Sequence, residues 1–228
     1  MRLTIAALLV TIIATSLFAA APAQEKAKVA KPDLVTTEQW GSEPQPIPDS
    51  RRHTPQFITV HHAGVDWKPG RDPTTFVKNM QGWGQREKNW PDLPYHFMIA
   101  PDGRIFEARS VEYEPESNTK YDLQGHIGVE LMGNFESQRP SEAQLKSLVA
   151  LTAWLCQEKQ IDPAEIATHR DRAKKQTVCP GKDLYRYFDD GTFVGWVEKA
   201  LAGKEPDVKS GPVLEGGPTV VVDTPAQP

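Results

Sequence analysis

The sequence predicts an α/β fold, a single domain with a central mixed β-sheet flanked by helices. Three observations lead there. Short β-branched and aromatic runs alternate with capped segments of helical period. Pro101-Asp102-Gly103 between two apolar runs marks a hairpin, hence an antiparallel pairing. Residues 127–133 form an almost continuous apolar run, as a strand covered on both faces requires.

Taken in order, Phe57-Ile58-Thr59-Val60-His61 reads as the first strand of the core. Asp72-Pro73 opens a helix, with Asp as N-cap and Pro in the first turn. Phe76, Val77, Met80 and Trp83 follow at helical spacing, which predicts a buried Trp83. Residues 95–100 and 104–108 form the hairpin, and 127–133 the central strand. Ser141 with Gln144 is a capping box. It opens a helix to about Lys159, with Leu145, Leu148, Leu151, Thr152 and Leu155 on one face. Asp162-Pro163 begins a short helical turn, residues 166–169 a last short strand, and 183–188 and 193–201 two further helices.

Composition bounds the function. The chain has 228 residues, 39% hydrophobic and 25% charged, which fits one folded domain and excludes wholesale disorder. A net charge of -4 gives no broad electrostatic basis for binding nucleic acid or an anionic membrane. Two cysteines cannot make a disulfide-dense scaffold. Arg2, an uncharged apolar run from Ile5 to Phe18 and the small-residue site Ala21-Pro22-Ala23 predict a signal peptide over residues 1–23. The expected product is exported, periplasmic or secreted, with no stable membrane anchor after cleavage. Residues 24–49 read as a Pro-rich linker that packs on the domain through Trp40 and Ile47. Residues 50–202 form the folded domain. Residues 203–228, with five Pro and four Gly, read as a disordered tail.

Candidate metal ligands fall at strand ends and the loops beyond them. His61 or His62 ends the first strand, His169 ends the last, and Cys179 lies ten residues later in a loop fixed by Pro180-Gly181. Two imidazoles and a thiolate leave a fourth tetrahedral position open, the pattern of catalytic zinc, and the thiolate disfavours magnesium and calcium. Strand alternation puts His61 and His62 on opposite faces without choosing between them. A Cys156–Cys179 disulfide competes with this reading in an exported protein. Against it, Cys156 sits inside a helix beside Leu155 and reads as a buried small hydrophobe.

Five segments occur in order. They are Val60-His61-His62-Ala63; Leu93-Pro94-Tyr95-His96-Phe97-Met98-Ile99; Asp102-Gly103-Arg104-Ile105-Phe106-Glu107; residues 127–135 from Ile127-Gly128-Val129-Glu130 to Asn134-Phe135; and Thr168-His169-Arg170-Asp171 with Cys179-Pro180-Gly181. Together they resemble the type 2 N-acetylmuramoyl-L-alanine amidase family, which includes peptidoglycan recognition proteins and phage amidases. The resemblance implies a Zn²⁺ enzyme that cleaves the amide between the lactyl group of N-acetylmuramic acid and L-alanine, with peptidoglycan or muropeptides as its partner. It selects His61 over His62 and makes His169 and Cys179 the other ligands. Glu130 stands where the bacterial branch carries a catalytic glutamate and is the candidate general acid/base; Thr177, with Tyr95 beside it, is the candidate donor to the carbonyl oxygen. Two departures stand out. The longer interval from His169 to Cys179 resembles the bacterial branch, which often has Asp at the third ligand. Thr177 stands where several members have Lys, and Lys174 and Lys175 are two or three positions off.

The remaining residues carry weaker expectations. His96 should be structural, and His126 either structural or in contact with substrate. Trp67, Trp83 and Trp90 are candidates for lining a groove, with Trp83 favoured for the core, and Arg170 with Asp171 for a local ion pair. The rival reading is a non-catalytic peptidoglycan-binding module of the same fold. Such modules usually lose a ligand, commonly the cysteine, and this chain keeps Cys179.

Overall fold

The computed structural model describes residues 28–222. The expected signal peptide lies outside the described residues, as do residues 24–27 and the last six of the expected tail. In chain order the elements are β1 (Leu34–Val35), α1 (Thr37–Trp40), β2 (Phe57–His62), α2 (Pro73–Lys88), β3 (Phe97–Ile99) and β4 (Ile105–Glu107). Then come β5 (His126–Leu131), α3 (Glu142–Lys159), β6 (Ile166–Thr168), α4 (His169–Arg172), α5 (Lys182–Asp189) and α6 (Thr192–Leu201). Short 3₁₀ turns occupy Asp49–Arg51 and Pro163–Glu165.

The strands form one sheet in the order β1-β4-β3-β5-β2-β6. Only β3 and β4 pair antiparallel; every other neighbour is parallel, so the sheet is mixed as predicted. Its middle strands are β3 and β5, in which every residue is buried, and β2 beside β5 is buried from Ile58 onward. The hairpin turns at Gly103 (φ 87°), whose N–H bonds Ala100 O at 2.9 Å. A Cβ there would lie 3.2 Å from Ala143 O, so the turn seats directly on α3.

Helix α3 begins with the reciprocal cap the sequence encodes: Ser141 Oγ accepts from Gln144 N, and Gln144 Oε1 accepts from Ser141 N. Gln144 Nε2 then donates to Ile99 O (3.1 Å) and Met132 O (2.9 Å), tying the helix start to the ends of β3 and β5. The predicted stripe Leu145, Leu148, Leu151, Thr152 and Leu155 is buried.

Trp83 corrects an expectation. It is 41% exposed and packs edge-on to Trp90, with Lys88 over its ring. The buried stripe of α2 runs Val77, Gln81 and Gly84, and position 83 falls beside it.

Both flanks carry more structure than their composition suggests. Within 24–49, β1 adds a parallel edge strand to β4 and Thr36 caps α1. Trp40 is buried as expected, its Nε1–H donating to Glu107 O at 2.6 Å. The expectation of a disordered tail does not hold for residues 203–222. Val208 and Val222 are buried, and the backbone of Arg139 pairs with Val220 O (2.7 Å) and Val222 N (2.9 Å). The Arg139 and Arg186 guanidinium groups reach Gly211 O and Pro212 O. Both cations also face the buried carboxylate of Asp183, at 3.6 and 3.7 Å. This strap is held by arginines and backbone, which leave no hydrophobic period to detect.

A chain ending at Gly203 should lose about 3 kcal/mol of stability, at about 1.5 kcal/mol for each of the two buried valines. Urea unfolding measures it; an unchanged midpoint would show that the strap contributes nothing.

Candidate metal centre

Three parallel strands bring their carboxyl ends together. His61 sits opposite Glu130 in the β2–β5 register, and Val60 opposite Thr168 in β2–β6, so His169 leaves β6 one step beyond. Cys179 arrives on the loop between α4 and α5. Gly181 (φ 86°) seats that loop against Phe135 and Glu136, where a Cβ would come within 2.4 Å of Phe135 C. Only glycine fits that approach. The Cys179–Pro180 peptide is cis. Arg170 N bonds Cys179 O at 2.9 Å and Asp183 N bonds Phe135 O at 3.0 Å, fixing both ends of the loop.

The ligand atoms of His61, His169 and Cys179 lie within 4.8 Å of one another, and all three residues are buried. His61 Nδ1 is 3.8 Å from Cys179 Sγ, and the His61 and His169 rings are 4.5 Å apart. His62 points elsewhere: its Nδ1 accepts from Phe135 N at 3.2 Å, while its backbone N–H faces Cys179 Sγ at 3.3 Å. The geometry thus separates two histidines that strand alternation leaves equivalent.

The electrostatics suit a cation. Burial, reinforced by the neighbouring imidazoles, holds His61 well below its ordinary pKa, and burial lowers His169 to about 4. Both rings therefore keep a free lone pair at neutral pH. Burial pushes the Cys179 thiol up to about 12, offset in part by the His62 N–H and raised further by Glu130. A nearby dication favours the thiolate. Two neutral imidazoles and one sulfur converging at this spacing match the zinc donor set and not the oxygen-rich sites of calcium or magnesium.

The other predicted residues gather unevenly. Glu130 is fully buried and neither carboxylate oxygen has a hydrogen-bond partner; burial holds its carboxyl protonated well above the usual range. The half-buried Tyr95 ring lies 4.9 Å from that of His61. Burial, then Cys179 and Glu130, raise its phenol well above 10. Thr177 is half-buried, and its Oγ1 accepts from Cys179 N at 3.0 Å. Lys174 and Lys175 are exposed.

His96 is structural, joining Gly128 N and Tyr113 O. His126 is held by Thr59 and the rings of Phe57 and Tyr121. Trp67 is buried against Phe76. Trp90 is half-buried between Gly84 and Trp83. No ion pair joins Arg170 to Asp171 among the described residues. Asp171 instead accepts from Thr168 and Tyr185, and Arg170 stacks on the Tyr185 ring. The sequence reading missed Ser117, Thr119 and Tyr121, which stand against His169 from the loop after β4. No periodicity or spacing marks them.

Cys156 and Cys179 are both free, and Cys156 is buried in α3. Two thiols per chain should therefore react with a thiol reagent in denaturant without reductant. Cys156→Ala should leave metal content unchanged; loss of metal would assign the ligand to the wrong thiol.

A mixed sheet that delivers two histidines and a cysteine to one point defines an α/β protein with a candidate metal centre at its parallel strand ends. The chain belongs to the type 2 N-acetylmuramoyl-L-alanine amidase family, whose model matches residues 51–182. It is 24% identical over 158 residues to peptidoglycan-recognition protein SD of Drosophila simulans, spanning 67% of this chain and 82% of that protein. It is 28% identical over 156 residues to the N-acetylmuramoyl-L-alanine amidase of Sus scrofa, spanning 64% of this chain and 25% of that one. Two solved structures share the fold. The Drosophila protein SD gives a TM-score of 0.61 at 20% identity, covering 70% of this chain and 94% of that one. The human protein PGRP-IBETAC, solved in complex with a glycosamyl muramyl pentapeptide, gives 0.61 at 22% identity over 69% and 95%.

Proposed function

We propose that this chain is an exported, zinc-dependent N-acetylmuramoyl-L-alanine amidase that hydrolyses the lactyl–L-alanine amide of peptidoglycan or of muropeptides. The supporting observation is the convergence of His61, His169 and Cys179 within 4.8 Å in the same site as the unpartnered, buried Glu130. A binding module has no need of a buried carboxylate without a hydrogen bond, which is costly to keep.

His61, His169 and Cys179 would hold the zinc. When bound, it supplies Lewis acidity toward a carbonyl oxygen and toward water. Glu130 takes the proton released as water adds to the lactyl carbonyl and returns it to the departing amine of L-alanine. Burial raises the pKa of its carboxyl, and a neighbouring dication favours the ionised form that takes the proton. The hydroxyls of Tyr95 and Thr177 donate to the carbonyl oxygen as it gains charge. Tyr95 stays a donor throughout, because its raised pKa keeps it protonated.

Purified protein incubated with murein should release stem peptides with a free L-alanine amine, read by mass spectrometry. A chelator should stop the release and zinc restore it. Cys179→Ala should lose both bound zinc and cleavage. Cleavage that survives metal removal, or zinc binding without any cleavage, would overturn the proposal; the latter result would identify a peptidoglycan-binding module. Glu130→Gln should retain zinc and lower turnover on the order of 10²–10⁴-fold. An unchanged rate would remove Glu130 from the chemistry.

A further inference from the structure

The loop between β4 and β5 lies against His169 at its Nε2. His169 Nε2 lies 2.6 Å from Thr119 Oγ1 and 3.3 Å from Ser117 Oγ. The two hydroxyls are 2.9 Å apart, and Ser117 Oγ also accepts the Thr119 backbone N–H at 3.1 Å. The same loop is bracketed to the segment that leads into Cys179. Lys120 N donates to Gln176 Oε1 (2.8 Å), and Gln176 Nε2 donates to Lys120 O (2.9 Å). The Tyr121 ring closes over His169 at 5.6 Å. One short stretch therefore touches one ligand directly and the loop of a second, Cys179, through two bonds between the Lys120 backbone and the Gln176 side-chain amide.

A neutral imidazole has one N–H and one lone pair, and the partner of one nitrogen decides what the other offers. A hydroxyl can donate or accept. Ser117 Oγ lies where it can take the single proton of Thr119 Oγ1, and Thr119 Oγ1 then turns a lone pair to the ring at 2.6 Å. If the ring donates from Nε2, its Nδ1 lone pair is the one left to offer a metal. Metal-bound histidines usually fix their second nitrogen on a carboxylate or a backbone carbonyl. Here a two-hydroxyl chain fills that place.

Resting on the zinc reading above, we propose that Thr119 is a positioning residue for the ion: its Oγ1 accepts the Nε2–H of His169 and so sets the tautomer and ring angle that present Nδ1 beside His61 and Cys179. Ser117 orients the Thr119 hydroxyl, and the Lys120–Gln176 bracket keeps both in register with the cysteine loop.

Zinc affinity tests this without recourse to turnover. Full-length wild type, Thr119→Val and Thr119→Ser are titrated against a chromophoric chelator, and the cobalt(II) forms are compared by their absorption spectra. Thr119→Val keeps the shape and removes the acceptor; it should weaken zinc binding about 10- to 100-fold and shift the cobalt ligand-field bands. Thr119→Ser should restore wild-type affinity and spectrum. The metal-free proteins should unfold at the same midpoint, with Thr119→Val losing part of the zinc-induced rise. If valine alters the metal-free midpoint, Thr119→Ala provides the same deletion with less bulk. A Thr119→Val chain that binds zinc like wild type, or a Thr119→Ser chain as weak as valine, would overturn the inference while leaving the zinc site in place. A wild-type chain that takes up no zinc would instead overturn the proposed function and this inference with it.

Discussion

The parallel pairing of β2 with β5 on one side and β6 on the other determines where chemistry can occur. Parallel neighbours end on the same side of a sheet, and the chain must leave by loops there. In this register His61 lies opposite Glu130, while Thr168 opposite Val60 sends His169 out one residue later. A slip of one residue in β2 would exchange His61 for His62 and put the wrong imidazole on the site face. The hydrophobic residues hold that register: Ile58 and Val60 are fully buried among Ile127, Val129 and the rest of the core.

Much of the fold is legible in the chain because the local signals agree. Asp72-Pro73, Ser141 with Gln144 and Asp162-Pro163 each cap the element expected, and the apolar run in β5 falls at the middle of the sheet. What escapes reading shares one physical trait. β1 is two residues long, and the strap over residues 203–222 is anchored by guanidinium groups and isolated valines. Neither has enough length to express a period. Trp83 misleads for the opposite reason, because a genuine helical period does not say where the buried stripe ends.

The candidate site divides the same way. His61, His169 and Cys179 stand out as residue types at strand ends, and the structure brings them together. Their supports do not stand out. Ser117, Thr119 and the Phe135 backbone that receives His62 act through position alone, and only a folded chain supplies position. The site also concentrates groups whose burial is costly, above all Glu130 without a partner. The well-packed sheet around them supplies the stability that such a concentration consumes.

The lengths of the outermost strands carry a consequence of their own. The sheet ends in β1, two residues long, on one side and β6, three residues long, on the other. An exposed strand edge is a template on which a second molecule can add its own strand, and short edges offer such a visitor little to hold. By lying along β4, β1 pairs the edge that the hairpin would otherwise present. The N-terminal flank thus finishes this side of the sheet with an edge too short to offer an incoming strand much purchase.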